Sequence, residues 1–238
     1  MRENANEPFV RNAWYIAAWP EELEDGVLAR TIMGEPLVIF RDADGKAAAL
    51  EDRCCHRGAP LSQGWIGDKG ITCGYHGLVF DGSGACVEIP GQDKIPAQTR
   101  VDAYPVVERQ KIIWIWMGDA GAADETKIVD YPYHDQPEKW PHKKATFTIG
   151  ANYMMMMDNL MDLSHLAYVH GTTTGSPEIA EEAKVETVRK GDVVQVRRWM
   201  ENVPPAPAFV QFGGYTGNID SWQVSEFSPP SYVRVSYG

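Results

Sequence analysis

The sequence predicts an α+β protein, an antiparallel β domain followed by a mixed domain in which one helix lies on an antiparallel sheet. Three observations predict it. Up to about residue 118 the chain is a series of short apolar or alternating runs separated by turn signals. Residues 119–142 are small and acidic at first, then rich in proline and aromatics, which marks a boundary. Beyond them, one strong helical candidate, Asn152 to His170, precedes several strand-like runs.

In chain order, Ala13 to Ala18, Glu35 to Arg41 and Lys46 to Glu51 are expected strands, with Asp42-Ala43-Asp44-Gly45 as a hairpin turn. Asp81-Gly82-Ser83-Gly84 turns the chain between Leu78–Phe80 and Cys86–Ile89. Val106–Arg109 and Lys111–Met117 read as a closing hairpin, so Phe9 to Gly118 is expected to form a compact antiparallel barrel. There Trp114 and Trp116 alternate with Ile113 and Ile115 as sheet packing. His134 and His142 fall in the connector, with local hydrogen bonding as their expected use. A strand is expected over Lys144–Gly150, then the helix, then strands at Ala183–Arg189, Asp192–Met200, Ser221–Phe227 and Tyr232–Ser236. The domain organisation is therefore 9–118, a connector over 119–142, and 143–238.

The formal net charge of −11 argues against nucleic-acid and anionic-membrane partners. Met1 to Pro8 is polar and acidic, unlike a secretory signal, and no apolar run reaches the length of a membrane span. A cytoplasmic location is expected, where a Cys55–Cys86 disulfide is disfavoured.

The chemistry concentrates in two places. Cys54-Cys55-His56 and Cys73-Gly74-Tyr75-His76 read C-x-H and C-x-x-H, separated by sixteen residues. Each half supplies one thiolate and one imidazole, which suits a Rieske 2Fe-2S centre, where two Cys hold one iron and two His the other. A Cys2His2 zinc site is the rival, but such modules usually open with two Cys two to four residues apart. Gly58, Gly64, Gly74 and Gly77 are expected to supply special backbone angles for the loops, and Pro60 to stiffen the first.

The second place is Asp158-Asn159-Leu160-Met161-Asp162-Leu163-Ser164-His165-Leu166-Ala167-Tyr168-Val169-His170. On an ideal helix Asp158, Asp162 and His165 lie within about 60° of one another, with Asn159 at the edge. His165 and His170 lie about 140° apart, so a shared ion requires the helix to bend, widen or end between them. The spacing alone leaves open a solvent-facing stripe with a C-terminal His favoured by the helix dipole.

Written whole, CCHRGAPLSQG and CGYHGLVFDGSGACVEIPG resemble the Rieske loops of aromatic-ring oxygenases, most closely the vanillate and dicamba O-demethylase group of oxygenase components. DNLMDLSHLAYVH resembles the iron-binding helix of the same group. The resemblance implies a Rieske domain carrying its cluster on Cys54, His56, Cys73 and His76. It further implies an α+β catalytic domain with a metal-bearing helix, in which His165 and His170 bind a mononuclear Fe(II). It gives Asp162 the role of a bridge from His165 to His76 of a neighbouring subunit, and puts Asn159 close to the iron. That bridge implies a head-to-tail homotrimer.

The reaction so implied is oxygenation with O2: hydroxylation or O-demethylation of a small aromatic acid. NAD(P)H would supply electrons through a separate flavin/iron-sulfur reductase, because the chain has no dinucleotide fingerprint. Arg197 and Arg198 are candidates for an anionic substrate by residue type alone, and at most one can face a given pocket. A Rieske electron-transfer protein without oxygenase activity is the alternative, though it leaves the second half unexplained. In the related proteins the iron's carboxylate ligand lies on a later, C-terminal helix, and no residue here matches it. The catalytic domain is thus expected to be incomplete and the chain a fragment.

Overall fold

The computed structural model describes residues 9–181 and 183–238. The expectation for Met1 to Pro8 lies outside the described residues. The chain divides into two compact units, Met1–Lys144 and Ala145–Gly238.

The first unit holds eleven described strands: β1 (Ala13–Ala18), β2 (Leu28–Ile32), β3 (Glu35–Arg41), β4 (Ala47–Glu51), β5 (Trp65–Gly67), β6 (Gly70–Thr72), β7 (Val79–Phe80), β8 (Cys86–Glu88), β9 (Ala103–Tyr104), β10 (Val106–Arg109) and β11 (Ile112–Met117). They form three antiparallel sheets, ordered β1-β11-β10, β2-β3-β4-β9 and β5-β6-β7-β8, rather than the single barrel expected. The strands β5 to β9 are only two or three residues long, too short to close a barrel.

Strand β3 shows how the layers share one core. Val38 and Phe40 pack with Cys54, Leu61, Ile71, Cys73 and Phe80. Leu37 and Ile39 point the other way, onto Ile113, Ile115 and Met117 of β11. Four consecutive buried residues therefore mean a strand covered on both faces, each such side chain contributing about 1.5–3 kcal/mol. The far face of β11 carries Trp114 and Trp116. Trp116 meets Trp14 edge-on at 5.5 Å and donates its indole N–H to Asp119 O at 2.8 Å. Trp114 stacks on Tyr131 at 6.5 Å. The connector belongs to this unit: Trp14 Nε1 donates to Asp124 O, and the His134 ring nitrogen Nδ1 lies 3.1 Å from Gln110 O.

The second unit contains α1 (Tyr153–Met161), α2 (Leu166–Val169), α3 (Glu178–Glu181), β12 (Lys184–Lys190), β13 (Val193–Val203), α4 (Pro207–Gly213), β14 (Ile219–Ser228) and β15 (Tyr232–Tyr237). The strands form an antiparallel meander, β12-β13-β14-β15, and α1 packs on β14 and β15. The α+β class and all four strands appear as expected; α4 was not anticipated.

Two local expectations fail. Lys144–Gly150 is irregular, because among the described residues its alternating side chains find no partner strand, which leaves Phe147 and Ile149 exposed. The 152–170 helix is two helices. Asn152 caps the first by accepting from Met154 N at 2.9 Å, and the chain leaves helical geometry at Asp162, with φ −84° and ψ 110°. Among the described residues no helix is long and apolar enough to cross a membrane.

Candidate metal centres

The first site is two copies of one turn. Cys54 follows β4 and Cys73 follows β6. In each loop the cysteine carbonyl accepts from the glycine amide four residues on, Gly58 N at 2.8 Å and Gly77 N at 3.0 Å. Each cysteine amide then donates to the carbonyl five residues on, Ala59 O and Leu78 O, both at 2.8 Å. Gly58 (φ 71°) and Gly77 (φ 73°) take the left-handed conformation that closes such a turn. Gly64 and Gly74 serve differently from what was expected. Both lie outside the positive-φ region, and a Cβ there would meet Thr72 O at 1.9 Å and Gln63 O at 2.8 Å. They are glycine because two backbones touch.

The equivalent turns bring like side chains together. The Cys54 and Cys73 thiols are in contact and buried, and burial pushes Cys54 up to about 11. The His56 and His76 rings are exposed, edge-to-face, with centroids 4.5 Å apart. An inner sulfur pair and an outer imidazole pair match the donor set that two irons with different ligands require. Among the described residues no three His, Cys, Asp or Glu converge as ligands of a single ion. All four cysteines are free; Cys55 is exposed, and Cys86 is buried with its thiol donating to Glu88 O.

The second site is made by the helix break. Asp162 accepts from Ser164 N at 2.8 Å and Ser164 Oγ at 2.6 Å, an Asx turn that ends α1 and starts the next turn. These bonds, and the positive influence of His165, hold the Asp162 carboxyl below the usual carboxylate range. His165 then occupies the N-cap of α2 and His170 its C-cap. The single turn between them sets the two rings edge-to-face at 5.2 Å. His165 Nδ1 is buried without a hydrogen-bond partner, which fits a ring held for a metal or for an acceptor beyond the described residues. Asp158, Asn159 and Asp162 are exposed, so in this unit the polar stripe faces solvent, as one of the readings left open by its spacing has it.

Arg197 and Arg198 part as strand geometry requires. Arg197 donates to Gln195 Oε1, while Arg198 is 4% exposed on the opposite face. Sequence reasoning missed Gln223 and Ser225, which are buried beside it. In Ser221-Trp222-Gln223-Val224-Ser225 the hydrophobic pattern assigns Trp222 and Val224 inward, and the structure buries the polar set instead.

The family model described as the Rieske 2Fe-2S domain matches residues 13–105, and that of the vanillate O-demethylase oxygenase C-terminal domain matches 149–238. The chain is 44% identical to the toluene-4-sulfonate monooxygenase system iron-sulfur subunit TsaM1 of Comamonas testosteroni, over 97% of this chain and 67% of that protein. It is 40% identical to the vanillate O-demethylase oxygenase subunit of Pseudomonas sp. (strain HR199), over 97% and 66% respectively. Among solved structures, dicamba monooxygenase bound to 3,6-dichlorosalicylic acid superimposes with a TM-score of 0.83 at 37% identity, covering 96% of this chain and 68% of that one. Dicamba monooxygenase with non-heme iron and dicamba gives 0.76 at 34% identity, covering 96% and 67%. The chain thus spans about two thirds of the length of the relatives it matches. It belongs to the Rieske non-haem iron oxygenases, in the group of oxygenase components that share the vanillate O-demethylase C-terminal domain.

Proposed function

We propose that this chain works as the oxygenase component of a multicomponent Rieske monooxygenase that hydroxylates or O-demethylates a small aromatic acid. In this reading Cys54, Cys73, His56 and His76 hold the 2Fe-2S cluster, and His165 and His170 hold a mononuclear Fe(II). The boundaries are 9–118 for the Rieske domain, 119–142 for the connector and 143–238 for the catalytic domain. When bound, the cluster supplies single electrons and the mononuclear iron supplies O2 activation.

One observation carries the reading: a second imidazole pair, His165 and His170 at 5.2 Å, with His165 Nδ1 buried and unpartnered, on a chain that already pairs two thiols and two imidazoles. An electron carrier needs only the first set. The chain's own residues then have definable tasks. The buried thiols exclude water from the inner half of the cluster site, and the exposed His56 and His76 rings give electrons a short route in and out. Asp162 ends α1 through Ser164 and so sets the His165 ring, and its carboxylate is available to accept from a ring N–H of His76 of an adjacent subunit. Asn159, three residues before Asp162 on α1, takes the place close to the iron that the family resemblance gives it. The arrangement suits a cytoplasmic, head-to-tail homotrimer fed from NAD(P)H by a flavin/iron-sulfur reductase.

The test is iron and acid-labile sulfide per chain on anaerobically purified protein. About three irons to two sulfides is the expected result. About two to two removes the oxygenase reading and leaves an electron-transfer protein.

A further inference from the structure

The arginines of the first unit divide into two groups. Arg11, Arg30, Arg41 and Arg109 each form an ion pair, with Glu35, Glu22, Glu108 and Asp130 in turn. Arg53, Arg57 and Arg100 are exposed, and among the described residues no carboxylate forms an ion pair with any of them.

These three guanidiniums line one cavity of about 380 Å³, and the exposed His56 is part of its wall. Two stretches of chain build it. Arg53 immediately precedes Cys54 and Arg57 immediately follows His56, so the first cysteine loop carries both. That loop is closed by Gly58 N donating to Cys54 O and Cys54 N donating to Ala59 O. Arg100 comes from the run before β9. This run is fixed beside β4 by Glu51 N donating to Asp102 O at 2.8 Å, and beside the 81–84 turn by Val101 N donating to Gly84 O at 2.9 Å. Arg100 Nη2 donates to Ser83 O at 3.2 Å, which holds the guanidinium without neutralising it. Glu51 and Asp102 complete the charged lining, two carboxylates against three arginines. Like charges gathered on one wall repel one another. In a chain of net charge −11, the rim of this one metal-ligand ring thus carries a local charge opposite to that of the whole.

We propose that the cavity of Arg53, Arg57 and Arg100 is where the electron donor docks, and that the donor presents an acidic surface around its own iron–sulfur cluster. This deepens the oxygenase reading above by naming the partner's chemistry; it rests on that reading's Rieske cluster and not on its mononuclear iron. There His76 serves a neighbouring subunit, so His56 is the imidazole left to receive the electron. The donor's reduced cluster gives up one electron and the oxidised Rieske cluster takes it, with no bond made or broken. Each guanidinium offers carboxylates a two-point fork. Exposed charges of this kind raise the rate of encounter more than the lasting affinity. That suits a partner that must leave after each electron. The charge of the whole chain, taken alone, would favour a basic partner; the charge around His56 selects an acidic one.

The experiment is stopped-flow reduction of the oxidised cluster in the purified holoprotein by two donors. One is a reduced plant-type 2Fe-2S ferredoxin of net negative charge, whose lower potential makes the transfer downhill. The other is methyl viologen radical, a small cation. With ferredoxin, the second-order rate constant is expected to fall about tenfold between about 20 mM and about 200 mM salt. The combined variant Arg53→Gln, Arg57→Gln, Arg100→Gln is expected to lose about tenfold at the lower salt and most of the salt dependence. Its rate with viologen should stay within about threefold of wild type.

A ferredoxin rate indifferent to salt and to the substitutions, or no reaction with ferredoxin at all, overturns the proposal. Equal loss with both donors also overturns it and makes the arginines supports of the cluster. Sedimentation of the same samples adds a third check: a changed assembly state overturns the proposal and makes the cavity a contact between copies of this chain. Arg57 adjoins a cluster ligand, so if the combined variant does not load its cluster, Arg100→Glu alone decides. A slower ferredoxin reaction with an unchanged visible spectrum supports docking, and an unchanged rate overturns it. Iron and sulfide counts separate the two readings. About three irons to two sulfides with an indifferent ferredoxin rate sinks the docking site alone. About two to two with arginine-dependent reduction sinks the oxygenase reading alone.

Discussion

Replacing Gly64 with alanine tests how the Rieske unit holds its two loops. Gly64 sits between the first cysteine loop and β5, with φ −94°, outside the left-handed region that demands glycine. Its constraint is contact: an added Cβ would lie 1.9 Å from the carbonyl oxygen of Thr72, the residue before Cys73. Ordinary contact starts near 3.4 Å, so β6 must retreat by more than 1 Å, and Cys73 moves with it while Cys54 stays. Backbone overlap of this kind costs about 3 kcal/mol, which in a unit of this size lowers the melting temperature by roughly 10 °C. Separating the thiols should also empty the cluster site. The assay is the visible spectrum with iron and sulfide content, alongside thermal unfolding. Gly67→Ala, in the same hairpin, is the control. There the Cβ meets nothing nearer than Thr72 Oγ1 at 3.8 Å, so the change should be neutral or stabilise by about 0.4–1 kcal/mol. A Gly64→Ala protein with full iron content and a melting temperature matching Gly67→Ala would refute the contact argument.

His165→Ala should remove one iron per chain and leave the Rieske spectrum intact; three irons per chain in the variant would count against the His165–His170 site. Asp162→Asn preserves an acceptor for Ser164, so both metals and the fold should persist while substrate turnover falls at least 100-fold, measured as single-turnover product; near-normal product would dismiss the bridging role. Tyr104 donates to Glu35 Oε2 at 2.8 Å, and burial followed by that carboxylate raises its pKa. A raised phenol stabilises the fold fully below its unfolded value near 10 and loses that contribution as pH rises toward the folded one. Tyr104→Phe should therefore cost about 1 kcal/mol at neutral pH, with the gap to wild type closing above pH 10 in urea unfolding; a gap constant to pH 11 would reject the assignment.

Particular residues show where legibility ended. Glu35–Arg41 and the Asp42–Gly45 turn were readable because alternation and turn chemistry are local properties, and β3 begins and ends where expected. The barrel was not, since neither the length of β7 nor the division into three sheets is encoded in any single run. The helix from 152 to 170 failed for a local reason that periodicity ignores. Asp162 and Ser164 satisfy each other across a turn, and that interaction outcompetes continuation of an apolar helix.

The sequence by itself named the candidate donors: the two Cys–His pairs by residue type and spacing, and His165 and His170 through the resemblance of DNLMDLSHLAYVH to an iron-binding helix, since their spacing alone left a solvent-facing stripe open. Only the tertiary structure decided how those donors meet. It paired thiol with thiol and imidazole with imidazole by repeating one turn on two hairpins, and it joined His165 to His170 through a single helical turn. It also turned β14 against its own hydrophobic pattern, so that Gln223 and Ser225 face inward beside Arg198. Strand alternation says which residues share a face, but which face is covered depends on what packs there, and that is a property of the whole fold.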